Sequence, residues 1–239
     1  MHLLVHPFHD AHAGVIAYVV TNPASDRCAL VDAHLLGSVG SPGQGARPLS
    51  RMIEFVRVNG LVVEWMLATR CDPHAANTVR ELKRHFVCAQ LGARASTPDL
   101  AGARSNSAGE NRDAGRTRGA LHPDRLFGDG ERVSIGHACG RVLHTPDLLT
   151  GSVVYTFDGV AFTGAADLGH RAAPRNSESA HSFAAVDCER GWMKQLAPNT
   201  RLFVGIEGAL ADEDLPCMTM AGRVSGNGSR LLDRGIVAP

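Results

Sequence analysis

The chain has 239 residues, of which 44% are hydrophobic, so it can bury one substantial core as one large domain or at most two. Its 24 acidic and 24 basic residues balance, which argues against binding to nucleic acid or to an anionic membrane surface. The sequence contains no apolar run near the roughly 20 residues that span a bilayer, so we expect no membrane partner.

Six cysteines are spread along the chain, at positions 28, 71, 88, 139, 188 and 217, and none form a C-x-x-C pair. This usage is typical of reduced thiols in the cytosol rather than of a disulfide framework. The segment from Met1 to Pro7 also lacks the basic start and the long apolar stretch of a secretory signal. We therefore expect a cytoplasmic protein, and the sequence leaves open whether it is a homo-oligomer.

Short strands and helices alternate in the first part of the chain, which favours an α/β architecture. β-branched and apolar runs predict strands over Val15–Val20 and Cys28–Val31. Pro48 is well placed to open a helix, because apolar residues follow at 49, 52, 53 and 56 on one face. A strand over residues 62–69 and an amphipathic helix from Ala75 to Phe86 come next.

The segment from Gly92 to Gly119 has a different composition. Between Ala101 and Ala120 its only apolar side chains are alanines, and five arginines occur from Arg94 to Arg118. Such a segment cannot bury enough apolar surface to offset the entropy lost on ordering. We therefore predict a mobile loop at 93–119 within a single domain that spans residues 1–239.

The remainder of the chain is rich in strands. The dipeptide Asp158-Gly159 is a strong signal for a two-residue hairpin. A helix is predicted around Phe183–Leu196. Strands are predicted over Val133–Ile135, Arg141–His144, Ser152–Phe157, Val160–Thr163 and Arg201–Val204.

Three segments carry a family resemblance. The strand ending at Thr69 runs into Arg70-Cys71-Asp72-Pro73-His74-Ala75, the segment Val142-Leu143-His144-Thr145-Pro146 follows later, and Asn199–Phe203 comes last. These segments resemble, in order and spacing, the T-H-x-H-x-D-H motif, the V-L-H-T-P-G-H-T motif and the final ligand strand of the metallo-β-lactamase superfamily, in its persulfide dioxygenase and glyoxalase II branch. The resemblance implies a four-layer αββα sandwich.

The same resemblance implies that the metal ligands have been replaced. The leading histidines of the first motif fall on Arg70 and Asp72, and its D-H pair falls on His74 and Ala75. The second histidine of the next motif falls on Leu148, with Asp147 before it. The ligand aspartate after the hairpin falls on Ala165, and the last histidine falls on Ile206.

The replacements are incompatible with the family's metal chemistry. Leu148, Ala165 and Ile206 offer no lone pair, whereas an iron or zinc centre needs about three protein donors. A guanidinium cannot lose its proton to bind metal. At about 4 Å and an effective dielectric near 20, it would repel a divalent ion by roughly 8 kcal/mol. We therefore expect no catalytic residues and no metal cofactor at these positions.

Arg70 in a pocket built for a cation needs a partner, because a desolvated and unpaired charge costs several kcal/mol. We expect its guanidinium to pair with Asp72, Asp147 or both, and thereby to replace the positive charge of the metal. Leu148 and Ile206 should pack around it.

Two functional interpretations stay open. In the first, the protein is a pseudoenzyme that binds a ligand or regulates an active relative. In the second, a relocated iron or zinc site that uses Asp72 and His74 supports glutathione-dependent sulfur dioxygenase activity or glyoxalase II-like thioester hydrolysis. Arg175 falls on the arginine that contacts the glutathionyl carboxylate in the family. By resemblance, glutathione or a related thiol is therefore a candidate ligand.

Overall fold

The structure is a computed structural model that describes residues 3–36, 48–70, 75–94, 123–145, 152–164 and 192–205, together with the backbone of 217–219. These residues form two six-stranded sheets, and in both the strands lie side by side in chain order. The first sheet contains β1 (Leu4–Asp10), β2 (Val15–Thr21), β3 (Arg27–Val31), β4 (Val62–Leu67), β5 (Gln90–Arg94) and β6 (Arg125–Phe127). The second contains β7 (Arg132–Ile135), β8 (Ala138–His144), β9 (Val153–Phe157), β10 (Val160–Gly164), β11 (Arg201–Val204) and β12 (Cys217–Thr219).

Two helices connect the parallel strands of the first sheet. α1 (Pro48–Val58) lies between β3 and β4, and α2 (Ala76–His85) lies between β4 and β5. The pairs β3–β4 and β4–β5 are parallel, as helical crossovers require, and the pair β5–β6 is parallel as well. A 3-10 turn (Ala33–Leu35) follows β3 directly.

Alternation along the strands divides the core into layers. In β2, Ala17 and Val19 pack with the helices, whereas Tyr18 and Val20 face the second sheet. In β9, Tyr155 lies between the sheets, and its neighbour Val154 packs on the outer face with Trp192 and Met193. Because side chains alternate with period two, each strand fills two adjacent layers. The predicted αββα sandwich is confirmed.

Most of the predicted elements are present. The structure contains the strands predicted near residues 15, 28, 62, 133, 141, 152, 160 and 201 and the helices that begin at Pro48 and near Ala75. The Asp158-Gly159 turn joins β9 to β10, and Gly159 has the positive φ of 77° that such turns need. Of the helix predicted around Phe183–Leu196, only the end from Trp192 lies within the described residues.

The start of the predicted 93–119 loop is corrected. Ala93 and Arg94 belong to β5, which is paired on both sides, and Ala93 is fully buried. Gly92, just before the predicted loop, belongs to the same strand, and a Cβ there would lie 2.5 Å from the ring of Phe127, so the strand needs a glycine. Residues 95–119 of the predicted loop lie outside the described residues.

None of the helices within the described ranges has the length and apolar character needed to cross a membrane.

Candidate functional site

Four chain segments meet where strands of the two sheets end. Thr69 follows β4, Thr145 follows β8, Gly164 ends β10 and Gly205 follows β11. We call these four residues the strand-end cluster. Each one shortly precedes a position at which the resemblance places a metal ligand. In chain order, those positions hold Arg70, Leu148, Ala165 and Ile206.

Main-chain hydrogen bonds tie the cluster together. The Gly205 amide donates to the Gly164 carbonyl at 2.8 Å, and the Thr69 carbonyl accepts from the Val153 amide at 2.8 Å. The Thr145 amide donates to the Ser152 carbonyl at 3.2 Å, one residue before Val153. These bonds join Thr69 with Thr145 through β9 and Gly164 with Gly205, and none of them uses a side chain at a ligand-type position.

The cluster is packed so closely that one position requires glycine. A Cβ at Gly164 would lie 2.0 Å from Thr69 Oγ1, and the φ of Gly164 is 58°. Any other residue at this position would therefore collide with Thr69 and would also be strained by the left-handed backbone conformation. A Cβ at Gly205 would lie 3.0 Å from Asp32 Oδ2 and from Gly164 Cα, which places Asp32 in the same group.

Asp32 is hydrogen-bonded to the strand-end cluster. Its carboxylate is buried and accepts hydrogen bonds from the Thr69 amide at 2.9 Å and from Thr69 Oγ1 at 3.0 and 2.8 Å. Its own φ is 57°, a left-handed conformation that Asp tolerates better than most residues. These contacts fix the end of β4, and with it the start of the segment that contains Arg70.

The sequence analysis missed the role of Asp32. Burial raises the pKa of its carboxyl, while the charge of His34, the hydrogen bonds from Thr69 and the charge of Arg70 act in the opposite direction. The sequence signal was an aspartate directly after an apolar strand. That signal marks the end of a strand but does not indicate a hydrogen-bond partner such as Thr69, which lies 37 residues further along the chain.

Arg70 lies beside the 3-10 turn. His34 Nε2 lies 3.1 Å from the Arg70 carbonyl oxygen, and because a carbonyl only accepts, the ring nitrogen is the donor. The Nε atom of Arg70 is buried and has no hydrogen-bond partner among the described residues. Its guanidinium is close enough to Asp32 to oppose the rise in that carboxyl's pKa.

A second arginine reaches the same place. Arg94, the last residue of β5, donates from Nη1 to the carbonyls of Thr145 at 3.1 Å and Ser152 at 3.4 Å. Its Nε is buried and also lacks a partner among the described residues. Nothing in the sequence distinguished Arg94 from the other arginines of the 93–119 segment, so its role was not predicted.

The other predicted site residues have different outcomes. Ala75 is buried and is the N-cap of α2, without a side-chain cap. Asp72, His74, Asp147, Leu148, Ala165, Ile206 and Arg175 lie outside the described residues. The pairing of Arg70 with Asp72 or Asp147 therefore stays a prediction, as does the contact of Arg175 with glutathione.

The residue types at the four ligand-type positions do not fit an iron or zinc ion. Three of the side chains are aliphatic, and the fourth, Arg70, is a permanent cation whose buried Nε already lacks an acceptor. A divalent ion at these positions would be repelled by the Arg70 guanidinium and would find no side-chain donor atoms. Asp32, the buried carboxylate nearby, has both oxygens engaged by Thr69.

Comparison with known proteins agrees with this architecture. No protein-family model matches the chain. The beta-lactamase hydrolase-like protein of Xylella fastidiosa is 32% identical over 162 residues, which are 65% of this chain and 35% of that protein. The chain thus spans 35% of the length of the curated relatives that it matches.

Solved structures resemble almost the whole chain. A metallo-β-lactamase from Staphylococcus aureus covers 94% of it with a TM-score of 0.63 and 15% identity, and the alignment covers 63% of that protein. ETHE1 from Myxococcus xanthus covers 92% with a TM-score of 0.58 and 16% identity, over 80% of its own length. The chain has the metallo-β-lactamase fold, and identities this low carry information about fold rather than chemistry.

Proposed function

We propose that this protein is a pseudoenzyme that uses the former metal centre of a metallo-β-lactamase fold to bind a ligand or a regulatory partner. The observation that carries the proposal is the strand-end cluster. It brings together four strand ends that precede, in the sequence, one arginine and three aliphatic residues at the positions where the resemblance places metal ligands. Such a set can bind an anion or an apolar group, but it cannot activate water or oxygen through a bound metal.

The hydrogen bonds around the cluster support the proposal. The Asp32–Thr69 contacts and the Gly205–Gly164 contact are formed by protein groups alone, so the fold does not depend on a metal to hold the segments together. The site can therefore lose its metal ligands and keep its shape. Segments held in place in this way are suited to binding without catalysis.

Metal analysis tests the proposal directly. Protein expressed in medium supplemented with iron, and separately with zinc, should contain well under one equivalent of either metal after mild chelation. The same preparations should neither consume oxygen with glutathione persulfide nor hydrolyse a glutathione thioester. A metal-binding relative with an intact T-H-x-H-x-D-H motif, purified in parallel, provides the positive control.

One result would reverse the proposal in favour of the relocated metal site. Stoichiometric iron or zinc that is lost in Asp72→Ala and His74→Ala variants, but kept in an Asp26→Ala control, would place a metal on those two side chains. Activity that disappears with the metal would then identify the protein as an enzyme of the dioxygenase or thioesterase type.

The glutathione interpretation has its own test. Titration calorimetry with glutathione would measure the affinity of the chain and of Arg175→Ala. If Arg175 holds the thiol-peptide carboxylate, the variant should bind about tenfold more weakly, which corresponds to loss of one charge-assisted contact. Equal affinity of both proteins would remove Arg175 from the site.

A further inference from the structure

Two arginines lie directly opposite each other on the outer surface of the second sheet. Arg132 of β7 pairs with Arg141 of β8, and both residues are exposed. Their neighbours Val133 and Val142 are buried between the two sheets, so alternation along the strands directs both arginines to the opposite, outer face. The two guanidinium groups therefore share one side of the sheet, where solvent reaches both.

The strand pairing also sets how closely the two side chains approach. The Val142 amide donates to the Glu131 carbonyl at 2.9 Å, so the next pair, Arg132 with Arg141, is of the type without backbone hydrogen bonds. In such a pair the Cβ atoms lie about 4.5 to 5.5 Å apart. Like charges directly opposite each other destabilise an antiparallel sheet, so this pair is unfavourable without a negative partner.

No described carboxylate neutralises the pair. Among the described residues, neither Arg132 nor Arg141 forms an ion pair or a side-chain hydrogen bond, and Asp158, at the turn after β9, forms no ion pair either. Glu131, which precedes Arg132, is paired with Arg125 at 2.6 Å. The described part of this face therefore has an excess of positive charge.

Uncharged donors lie beside the two arginines. Thr156 of β9 is opposite Arg141 on its other side, and Ser134 lies two residues after Arg132, so both belong to the same outer face. We call Arg132, Ser134, Arg141 and Thr156 the arginine face. Each guanidinium can hold a carboxylate through two parallel hydrogen bonds, and each hydroxyl adds one donor. The arginine face is thus suited to several carboxylates at once.

We propose that the arginine face is a docking surface for an acidic segment of a protein partner. Charge complementarity identifies the partner, since two arginines without a described counter-charge attract carboxylates. Salt screens a single small anion on an exposed surface, whereas a segment with several carboxylates contacts both guanidinium groups and the hydroxyls together. The proposal does not depend on whether the former metal centre contains a metal, so it goes beyond the proposed function.

Fluorescence anisotropy of a fluorescein-labelled hexaglutamate peptide tests the proposal on the full chain, at about 0.15 M sodium chloride. We expect saturable binding, and a dissociation constant about tenfold or more higher in the double variant Arg132→Gln/Arg141→Gln. The matched control is Arg51→Gln/Arg57→Gln, which removes the same charge from two exposed arginines on α1. The control should bind as the unaltered chain does, and a labelled hexaglutamine peptide should not bind.

Thermal melting shows whether the variants remain folded. Because the substitutions relieve repulsion between exposed side chains, Arg132→Gln/Arg141→Gln should melt at or above the temperature of the unaltered chain. If the double variant does not fold, the single variants Arg132→Gln and Arg141→Gln provide the readout. Each should then weaken binding by about threefold or more.

Three results would overturn the docking surface. One is absence of hexaglutamate binding to the unaltered chain. Another is equal weakening in Arg51→Gln/Arg57→Gln, which would indicate attraction by net charge alone. The third is displacement of the peptide by inorganic phosphate but not by chloride of equal ionic strength, which would assign the arginine face to a small oxyanion.

Discussion

Replacing Asp32 with alanine is expected to destabilise the fold by about 3 kcal/mol. The change leaves the Thr69 amide and hydroxyl without their acceptor, and each buried and unsatisfied donor costs about 1 to 3 kcal/mol. Alanine at a φ of 57° adds about 1 kcal/mol or more. Burial also makes the ionised carboxyl of Asp32 unfavourable, and alanine removes that cost. This gain offsets part of the loss, so we expect a value near the lower end of the summed range.

The matched variant is Asp32→Asn. Asparagine keeps an acceptor for the Thr69 amide, offers a donor to the Thr69 hydroxyl and tolerates left-handed backbone. We therefore expect its free energy of unfolding to lie within about 1 kcal/mol of the unaltered chain. The difference between the two variants measures the hydrogen bonds of Asp32 separately from its charge.

The pH dependence follows from the direction of the Asp32 pKa. Burial raises that pKa above its unfolded value of about 3.9, so between the two values the folded chain holds a proton that the unfolded chain has released. The contribution of this group to stability is thus greatest below the unfolded pKa and falls as the pH rises through the folded pKa. Asp32→Asn should lack this fall.

Urea denaturation provides the measurement. The chain has two tryptophans, Trp65 in the first sheet and Trp192 on the outer face of the second, so fluorescence reports on both layers. Circular dichroism should give the same midpoint if unfolding is two-state. Unchanged stability of Asp32→Ala, or equal loss in both variants, would refute the assignment of these hydrogen bonds as the support of Thr69.

Three further outcomes are expected. Gly164→Ala should cost at least about 2 kcal/mol more than Gly130→Ala in the same urea assay, because both have positive φ but only the first collides with a neighbouring hydroxyl; equal costs would contradict this. Burial and nearby carboxylates raise the pKa of the Cys28 thiol to about 12, so iodoacetamide at pH 8 should label the exposed Cys139 in the native chain long before Cys28, as mass spectrometry would show. Arg70→His alone should not restore metal binding in an elemental analysis, since three donors would still be missing; one equivalent of retained zinc would show otherwise.

The fold could be predicted where local pattern and burial agree. The apolar run of β2 and the Asp158-Gly159 turn gave correct elements, because alternation and turn chemistry are encoded within a few residues. β1 was missed because its histidines and Pro7 interrupt the pattern. An edge strand tolerates a proline, and β1 is paired only with β2.

The site could be predicted only as a set of positions. The resemblance identified Arg70 as the first altered position, and the structure places Thr69, just before it, in the strand-end cluster. The contributions of Asp32 and Arg94 depend on contacts between residues 37 and 51 positions apart, which no local pattern reveals. Composition also placed Arg94 in a loop, although pairing of β5 with both neighbours decides its position.

The hydrogen bonds of the strand-end cluster bear on how such proteins diverge. The backbone and Asp32 hold the ends of these strands through bonds that use no side chain at a ligand-type position. A substitution at such a position would therefore leave these particular bonds in place. Likeness of fold is thus a poor guide to chemistry in this architecture, and activity has to be established by its own experiment.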